Sequence, residues 1–466
     1  MPIQTMHHLT NIATASDKSR IKQLALKLLM LVCIVSFFTG TARAQGAPTI
    51  IRDAEIENTL ARFSAPVFEA AGIGPNDVRI ILVEDHNLNA FVAGGMNIFV
   101  YAGIILEAEN PGELVGVMAH ETGHIAGAHL ICTRAAMERA SFQSLLVSLL
   151  GVAAMVGSGD GGAAGAVFGG GQSMVHNSML SHSRTQEAAA DQAAVKYLSD
   201  AGLNAQGMLT FLEKMQNQEA LPSSQQAEYV RTHPLTRNRI SYLRENVERH
   251  ARKAAYSESW VNDFDRIKAK LIGFMYPDQG LRLPADTVAN RYARTIALYR
   301  KNRLDEALQG INALIEEEPQ NPYFFELKGQ MLYENNHLEQ AVPAYAKAVQ
   351  LLEDSSLIRS RYGQVLLALA KSDAEYRAAI TELERSLRAE QRSPRLHRLL
   401  ATGYGRIGQE GTARLHLAEE AVLQQRFEDA RRHIGLAEQD LPDNTAKRIR
   451  LQDLKTYIEI LDTEAE

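Results

Sequence analysis

Met118-Ala119-His120-Glu121-Thr122-Gly123-His124-Ile125, within the run from Pro111 to Arg139, decides the reading of this 466-residue chain. On a helix, residues four apart stand one turn apart on the same face, so His120 and His124 can reach one metal ion together. Glu121 lies about 100° round from His120, where it can take a proton from a water molecule at the open coordination position. Zinc suits this ligand set and makes water a nucleophile at neutral pH. Leu114, Val115, Val117 and Met118 precede the motif. They predict a largely buried helix, in which imidazoles need partners. Pro111 suits its first turn.

A catalytic zinc needs a third protein ligand and a vacant position. Leu130 stands six residues after His124, where a metzincin carries its third histidine, so that pattern fails. On a continuous helix His129 would point about 180° away from His120, which makes it a supporting residue. The better candidate is Glu187, in Ser183-Arg184-Thr185-Gln186-Glu187-Ala188-Ala189-Ala190-Asp191. Glu187 and Asp191 are again four apart. Glu187 can complete the triad, while Asp191 accepts a hydrogen bond from a liganding imidazole and fixes its tautomer. The alanines between them let two helices approach closely.

An H-E-x-x-H motif followed by E-x-x-A-D resembles metallopeptidase family forty-eight. Asn89-Ala90-Phe91, Gly94-Gly95 and Thr232-His233-Pro234 with Arg239-Ile240 are similar to the same family. An export signal before this domain and helical repeats after it resemble its periplasmic, β-barrel assembly-enhancing branch. The resemblance implies an α+β zincin-type domain, mostly helical with a small sheet, and roles for further residues. His233 would steady an oxyanion or occupy the vacant zinc position as a latch. Arg239 would hold a carboxylate ligand or a substrate carbonyl. The strand Asn97-Ile98-Phe99-Val100-Tyr101 would be the edge on which an extended substrate pairs.

Outward from this centre, residues 1–44 read as a secretory signal. Lys18, Arg20, Lys22 and Lys27 precede the apolar run Leu28 to Phe38, and Ala42-Arg43-Ala44 offers a cut after Ala44. The run falls short of the roughly 20 residues that span a bilayer, so a periplasmic location is expected. The metallopeptidase domain is assigned to 45–275. Within it, Leu145 to Val156 is apolar and Gly157 to Gly171 is rich in glycine and alanine. This predicts either a hairpin packed on the domain or a flap giving peripheral membrane contact through 145–171.

From 288 to 466 the pattern is helical and repeats. Thr295, Gly329 and Gly363 fall 34 residues apart, Ala307 and Ala341 likewise, and after Lys371 the phase slips by four. That period belongs to tetratricopeptide repeats, which stack into an all-α solenoid with a binding surface. With 45% hydrophobic and 22% charged residues the chain is globular, and a net charge of -6 gives no case for nucleic acid. The mature chain retains one cysteine, Cys132, so no internal disulfide is available.

The expected function is that of a zinc endopeptidase, with one Zn2+ per chain, acting on unfolded or misassembled envelope proteins. The repeats would recruit substrates or outer-membrane assembly machinery. The alternative is a chaperone-like interaction protein whose protease activity is mostly latched.

Overall fold

A computed structural model describes residues 49–129, 131–133, 135, 137, 183–219, 228–249, 256–443 and 445–465. The expected signal at 1–44 and the apolar, glycine-rich run 143–180 lie outside the described residues. Thr49–Glu466 form one compact unit.

Four strands, β1 (Ile50–Ile51), β2 (Arg79–Val83), β3 (Ala90–Ala93) and β4 (Asn97–Tyr101), make one sheet in the order β1-β2-β4-β3. Asn97–Tyr101 was expected at the edge of the sheet, and the structure corrects this. β4 is central, parallel to β2 on one side and antiparallel to β3 on the other, with Ala90 opposite Val100 and Ala93 opposite Asn97. The cause is a tight turn at Gly94 and Gly95, with φ of 61° and 97°, values that favour glycine. The Asn97 side chain donates to the Gly94 carbonyl at 2.7 Å and pins the turn. Among the described residues the open edges are therefore β1 and β3.

Helices α1 (Ala54–Ala70), α2 (Ala102–Glu107) and α3 (Pro111–Ala126) are followed by α4 (183–200) and α5 (Gln206–Glu219). Then come α6 (Glu228–Thr232), α7 (Arg237–Arg249), α8 (Glu258–Met275) and α9 (Pro277–Arg282). Their shared core includes Phe63 of α1, Ile98 of β4, Leu114 and Met118 of α3, Leu198 of α4 and Phe264 of α8. The Asn110 side chain accepts from the Glu113 N–H, and Pro111 opens α3, as expected for a helix start. The helix stops at Ala126 rather than running to Arg139. Gly127 caps it and Ala128 turns to φ 50°.

The rest is helical pairs: α10 (Val288–Arg300) with α11 (Leu304–Glu317), α12 (Pro322–Glu334) with α13 (Leu338–Leu351), and α14 (Ser356–Leu369) with α15 (Asp373–Leu387). They continue as α16 (Pro394–Arg406) with α17 (Glu410–Leu423) and α18 (Phe427–Asp440) with α19 (Ala446–Ala465). The first helices of the first three pairs begin 34 residues apart, and that of the fourth begins four residues late. The small positions serve packing within pairs. A Cβ on Gly329 would stand 2.8 Å from the Tyr345 ring, and one on Gly363 would stand 2.8 Å from Leu383. These are tetratricopeptide-type units that bury their faces by stacking.

The repeats grip the first part of the chain through charge. Lys270 of α8 is 1% exposed. Its Nζ lies 2.8 Å from Asp53, 3.3 Å from Glu55 and 3.7 Å from Glu326 of α12. The Tyr292 hydroxyl of α10 donates to Glu55 at 3.0 Å. Burial pushes the Glu326 carboxyl up to about 7, against the pull of Lys270. Removing one member of such a buried set costs about 3–5 kcal/mol. Lys270→Met is expected to lose that much in urea unfolding followed at Trp260, the single tryptophan. An acid raised in the folded state costs stability as it ionises. Lys270 holds the Glu326 carboxyl down to about 7 and its loss lets that value climb, so the deficit should deepen as pH rises above about 7, and a pH-independent deficit would exclude Glu326 as its source.

Candidate metal centre

The site is built where α3 meets α4. A Cβ on Gly123 would lie 2.7 Å from the Ala190 carbonyl oxygen and 2.9 Å from its Cα, so only glycine permits this approach. It sets Glu187 against both histidines of α3. His120 Nε2 is 3.1 Å from His124 Nε2 and 3.3 Å from Glu187 Oε2, and Glu187 Oε1 is 3.4 Å from His124 Nε2. His233, just after α6, brings Nδ1 to 3.3 Å from His120 Nε2 and 3.2 Å from Glu187 Oε2. One ligand atom from each of His120, His124, Glu187 and His233 lies within 4.8 Å of every other.

Hydrogen bonds on the outer side fix what points inward. His120 Nδ1 is 3.0 Å from Asp191 Oδ1, and a carboxylate attracts the ring proton to that side, so Nε2 offers a lone pair to the centre. His233 Nε2 is 3.1 Å from the Ala90 carbonyl oxygen. A carbonyl can only accept, so the proton is on Nε2 and the Nδ1 lone pair faces the other ligands. Nitrogen lone pairs and a carboxylate thus converge on one buried point, an arrangement that repels itself unless a cation sits there. A divalent ion fits it.

In the absence of metal, a proton meets part of that need. Burial would lower the His120 pKa, but Asp191 and Glu187 outweigh it and raise it to about 10. Burial and the neighbouring imidazoles of His120 and His233 lower His124 to about 4, against the pull of Glu187. Burial opposes ionisation of Glu187 and Asp191, yet hydrogen bonds from His120 and its neighbours hold both well below the usual carboxylate range. Glu121 differs. It is 0% exposed, and neither of its oxygens has a hydrogen-bond partner among the described residues. Burial raises its pKa, the environment of a proton acceptor waiting for a reactant.

Arg239 does not reach toward an open position. Its Nε donates to Asp191 Oδ2 at 2.6 Å and Nη2 to Oδ1 at 2.9 Å, while Nη1 lies 3.0 Å from Glu187 Oε2 and donates to the Pro234 carbonyl at 2.9 Å. With its donors engaged, Arg239 is a positioning residue. Of the two expectations for it, holding a carboxylate ligand is the one its contacts match.

His129 departs from the continuous-helix geometry. The turn at Ala128 brings its Nδ1 to 3.0 Å from His124 Nδ1, beside the ligand and not opposite it. Tyr229 was not singled out in the sequence. Its ring lies over His233 at 4.6 Å between centroids, and its N–H donates to the Leu88 carbonyl at 2.8 Å. A tyrosine four residues before His233, on a short helix, is too common a pattern to mark it.

Uptake of a divalent ion must displace the proton of His120, because liganding imidazoles are neutral. Between pH 6.5 and 10 the zinc affinity, measured by chelator competition, is expected to rise about tenfold per pH unit, and a flat profile would refute the His120 assignment. Gly123→Val drives side-chain atoms into the Ala190 backbone. It is expected to leave less than one zinc per chain by metal analysis and to cost about 1–3 kcal/mol in urea.

Residues 51–247 match the model of Peptidase family M48. The chain is 25% identical over 313 residues to the "Beta-barrel assembly-enhancing protease" of Escherichia coli (strain K12), covering 64% of this chain and 62% of that protein. It is 25% identical over 292 residues to the protein of the same name in Yersinia pestis, covering 60% and 58%. The chain thus spans about three-fifths of the length of these curated relatives. Among solved structures, "MamA 41-end from Desulfovibrio magneticus RS-1" aligns with a TM-score of 0.30 at 18% identity, over 38% of this chain and 98% of that one.

Proposed function

From an M48 peptidase domain at residues 51–247, we propose that the chain is a zinc-dependent endopeptidase. We place it in the bacterial periplasm, where it removes misfolded or misassembled outer-membrane proteins that the repeat helices recruit, alone or with the assembly machinery. The observation that carries this reading is the buried Glu121 carboxylate, with no hydrogen-bond partner among the described residues, beside four converging ligand atoms. The substrate class and location are supported by the likeness to the β-barrel assembly-enhancing proteases and by the export signal in the sequence.

His120, His124 and Glu187 would hold the ion. Lewis acidity for the scissile carbonyl and the attacking water would come from the bound zinc. Glu121 takes the proton of that water and passes it to the leaving amine. Asp191 orients His120, and Arg239 fastens Asp191 and Glu187 from behind.

The open edge of β3 lies beside the centre, since the Ala90 carbonyl already bonds His233. An extended substrate would add there by main-chain pairing, in place of the β4 edge expected from the sequence. His233 contributes a fourth donor. Catalysis by zinc needs an open position, so His233, were it to join the other three in holding the ion, would act as a latch that substrate has to displace. This favours a protease held quiet at rest.

Glu121→Gln should retain zinc while casein cleavage falls about 10²–10⁴-fold. Undiminished cleavage would place the activity elsewhere. His233→Ala should cleave casein faster than the parent chain at equal zinc content, and slower cleavage would point instead to oxyanion support.

A further inference from the structure

An end repeat stays soluble by keeping its outer face polar, and α19 departs from that rule. Its inner face is ordinary, with Leu451, Leu454 and Ile458 buried against Leu415 of α17 and Ile434 of α18. Away from that core it carries Ile449, Tyr457 and Ile460, which are 61%, 49% and 53% exposed. Ile449, Asp453, Thr456 and Ile460 follow one another at intervals of four, three and four residues. That is the heptad spacing that keeps a seam turned toward one partner helix, and Tyr457 flanks it.

The charges of α19 run against its own dipole. Lys447, Arg448 and Arg450 stand near its N-terminus, and Glu459 and Asp462 near its C-terminus, the reverse of what an isolated helix favours. Arg450 and Asp462 have partners in Glu419 and Arg431, yet the side chain of each stays more than half exposed, at 54% and 55%. Glu459 is exposed and has no ion-pair partner among the described residues. A second helix of the same sequence, laid antiparallel, compensates the dipole and the charges together.

The same arrangement matches the seam. About a two-fold axis between Leu454 and Lys455, Ile449 meets the partner's Ile460, and Asp453 meets the partner's Thr456, whose hydroxyl can donate to it. On one flank Arg450 comes beside the partner's Tyr457, a cation next to an aromatic ring. On the other, the Gln452 amide comes beside the partner's Glu459. A parallel pair in register would instead set Asp453 against the partner's Asp453, placing like charges in the seam.

We propose that α19 is a self-association surface, through which two copies of this chain pair by antiparallel packing of their α19 helices. The contact uses the same patch on both copies, so association closes at two. It goes beyond the function proposed above and needs neither metal nor cleavage.

The test uses residues 45–466, the exported form expected from the sequence, which contain the whole compact unit from Thr49 onward. Glu121→Gln is included to prevent self-cleavage. A seam of about three helical turns per copy belongs with the smaller, weaker interfaces. Sedimentation velocity is therefore expected to show monomer passing to dimer within about 1–100 μM. Ile449→Gln combined with Ile460→Gln should weaken the pairing at least about tenfold. The thermal midpoint of the dilute monomer should stay unchanged, since both side chains are exposed. For the orientation, Asp453→Cys and Thr456→Cys are made separately with Cys132→Ser, which removes the one other cysteine of 45–466. The two are mixed in equal amounts and oxidised with glutathione disulfide. Antiparallel pairing should yield the mixed disulfide in excess over either homodisulfide.

A chain that stays monomeric throughout that range would overturn the proposal, and so would a dimer that the two glutamines leave intact. Homodisulfides in place of the mixed species would assign a parallel contact and also overturn it. Binding to phosphatidylglycerol vesicles that the two glutamines abolish, without a dimer in solution, would make this face a membrane contact and do the same. If the double variant fails to fold, the disulfide pattern of the two cysteine variants decides. Because none of these measurements depends on cleavage, a failure of the endopeptidase reading would be seen separately.

Discussion

The approach of α3 to α4 is the constraint on which the rest depends. Gly123 packs its Cα directly on the Ala190 backbone, and this brings a carboxylate from a distant part of the chain between two histidines. Neither helix alone forms a metal site. α3 offers two imidazoles, and α4 offers Glu187 with Asp191. The distance between the two backbones sets whether three ligand atoms share one point. Glycines elsewhere on α3 do similar work. Gly116 packs against Met208, and Gly112 packs against Gly207 of α5, so the helix is gripped along its length and the ligands have little freedom to part.

Electrostatics reinforces that geometry. Asp191 and Arg239 form a clasp with two hydrogen bonds, and Arg239 reaches on to Glu187. The clasp compensates the buried acids when the histidines are neutral, which lets the ligand set persist in a dry interior. Glu121 accepts no hydrogen bond from that network among the described residues, its Oε1 standing 3.5 Å from His233 Nε2. That selective neglect separates it from the other carboxylates, and it is a stronger sign of chemistry than its burial alone.

Much of this was legible in the sequence because it is local. A four-residue spacing on a helix needs no knowledge of the fold, so His120 with His124 and Glu187 with Asp191 could be paired in advance. The 34-residue period exposed the repeats for the same reason. The misreadings came from non-local pairing. The edge assignment of β4 rested on the family resemblance, and Ala90–Ala93, with two alanines, gives a weak strand signal, so only its register with β4 reveals a neighbour. The helix after His124 seemed to continue because nothing in His129 or Ile131 announces the turn at Ala128. The stacking of Tyr229 on His233 depends on where α6 sits against β3, which no spacing in the sequence encodes.

The contacts between the beginning of the chain and the repeats also constrain its biogenesis. Arg52 pairs with Glu390, 338 residues later, and Asn58 bonds Tyr323. Ala54 lies in the same apolar cluster as Leu332, Tyr345 and Ile358. One flank of α1 therefore waits uncovered while some three hundred residues are synthesised, and closing such a loop is entropically slow. A polypeptide emerging from its N-terminus cannot complete the packing of α1 ahead of the repeats that cover it. Completion of the N-terminal half is thus timed by arrival of the repeats, and a product truncated before them would leave the Lys270 cluster and the α1 flank uncovered.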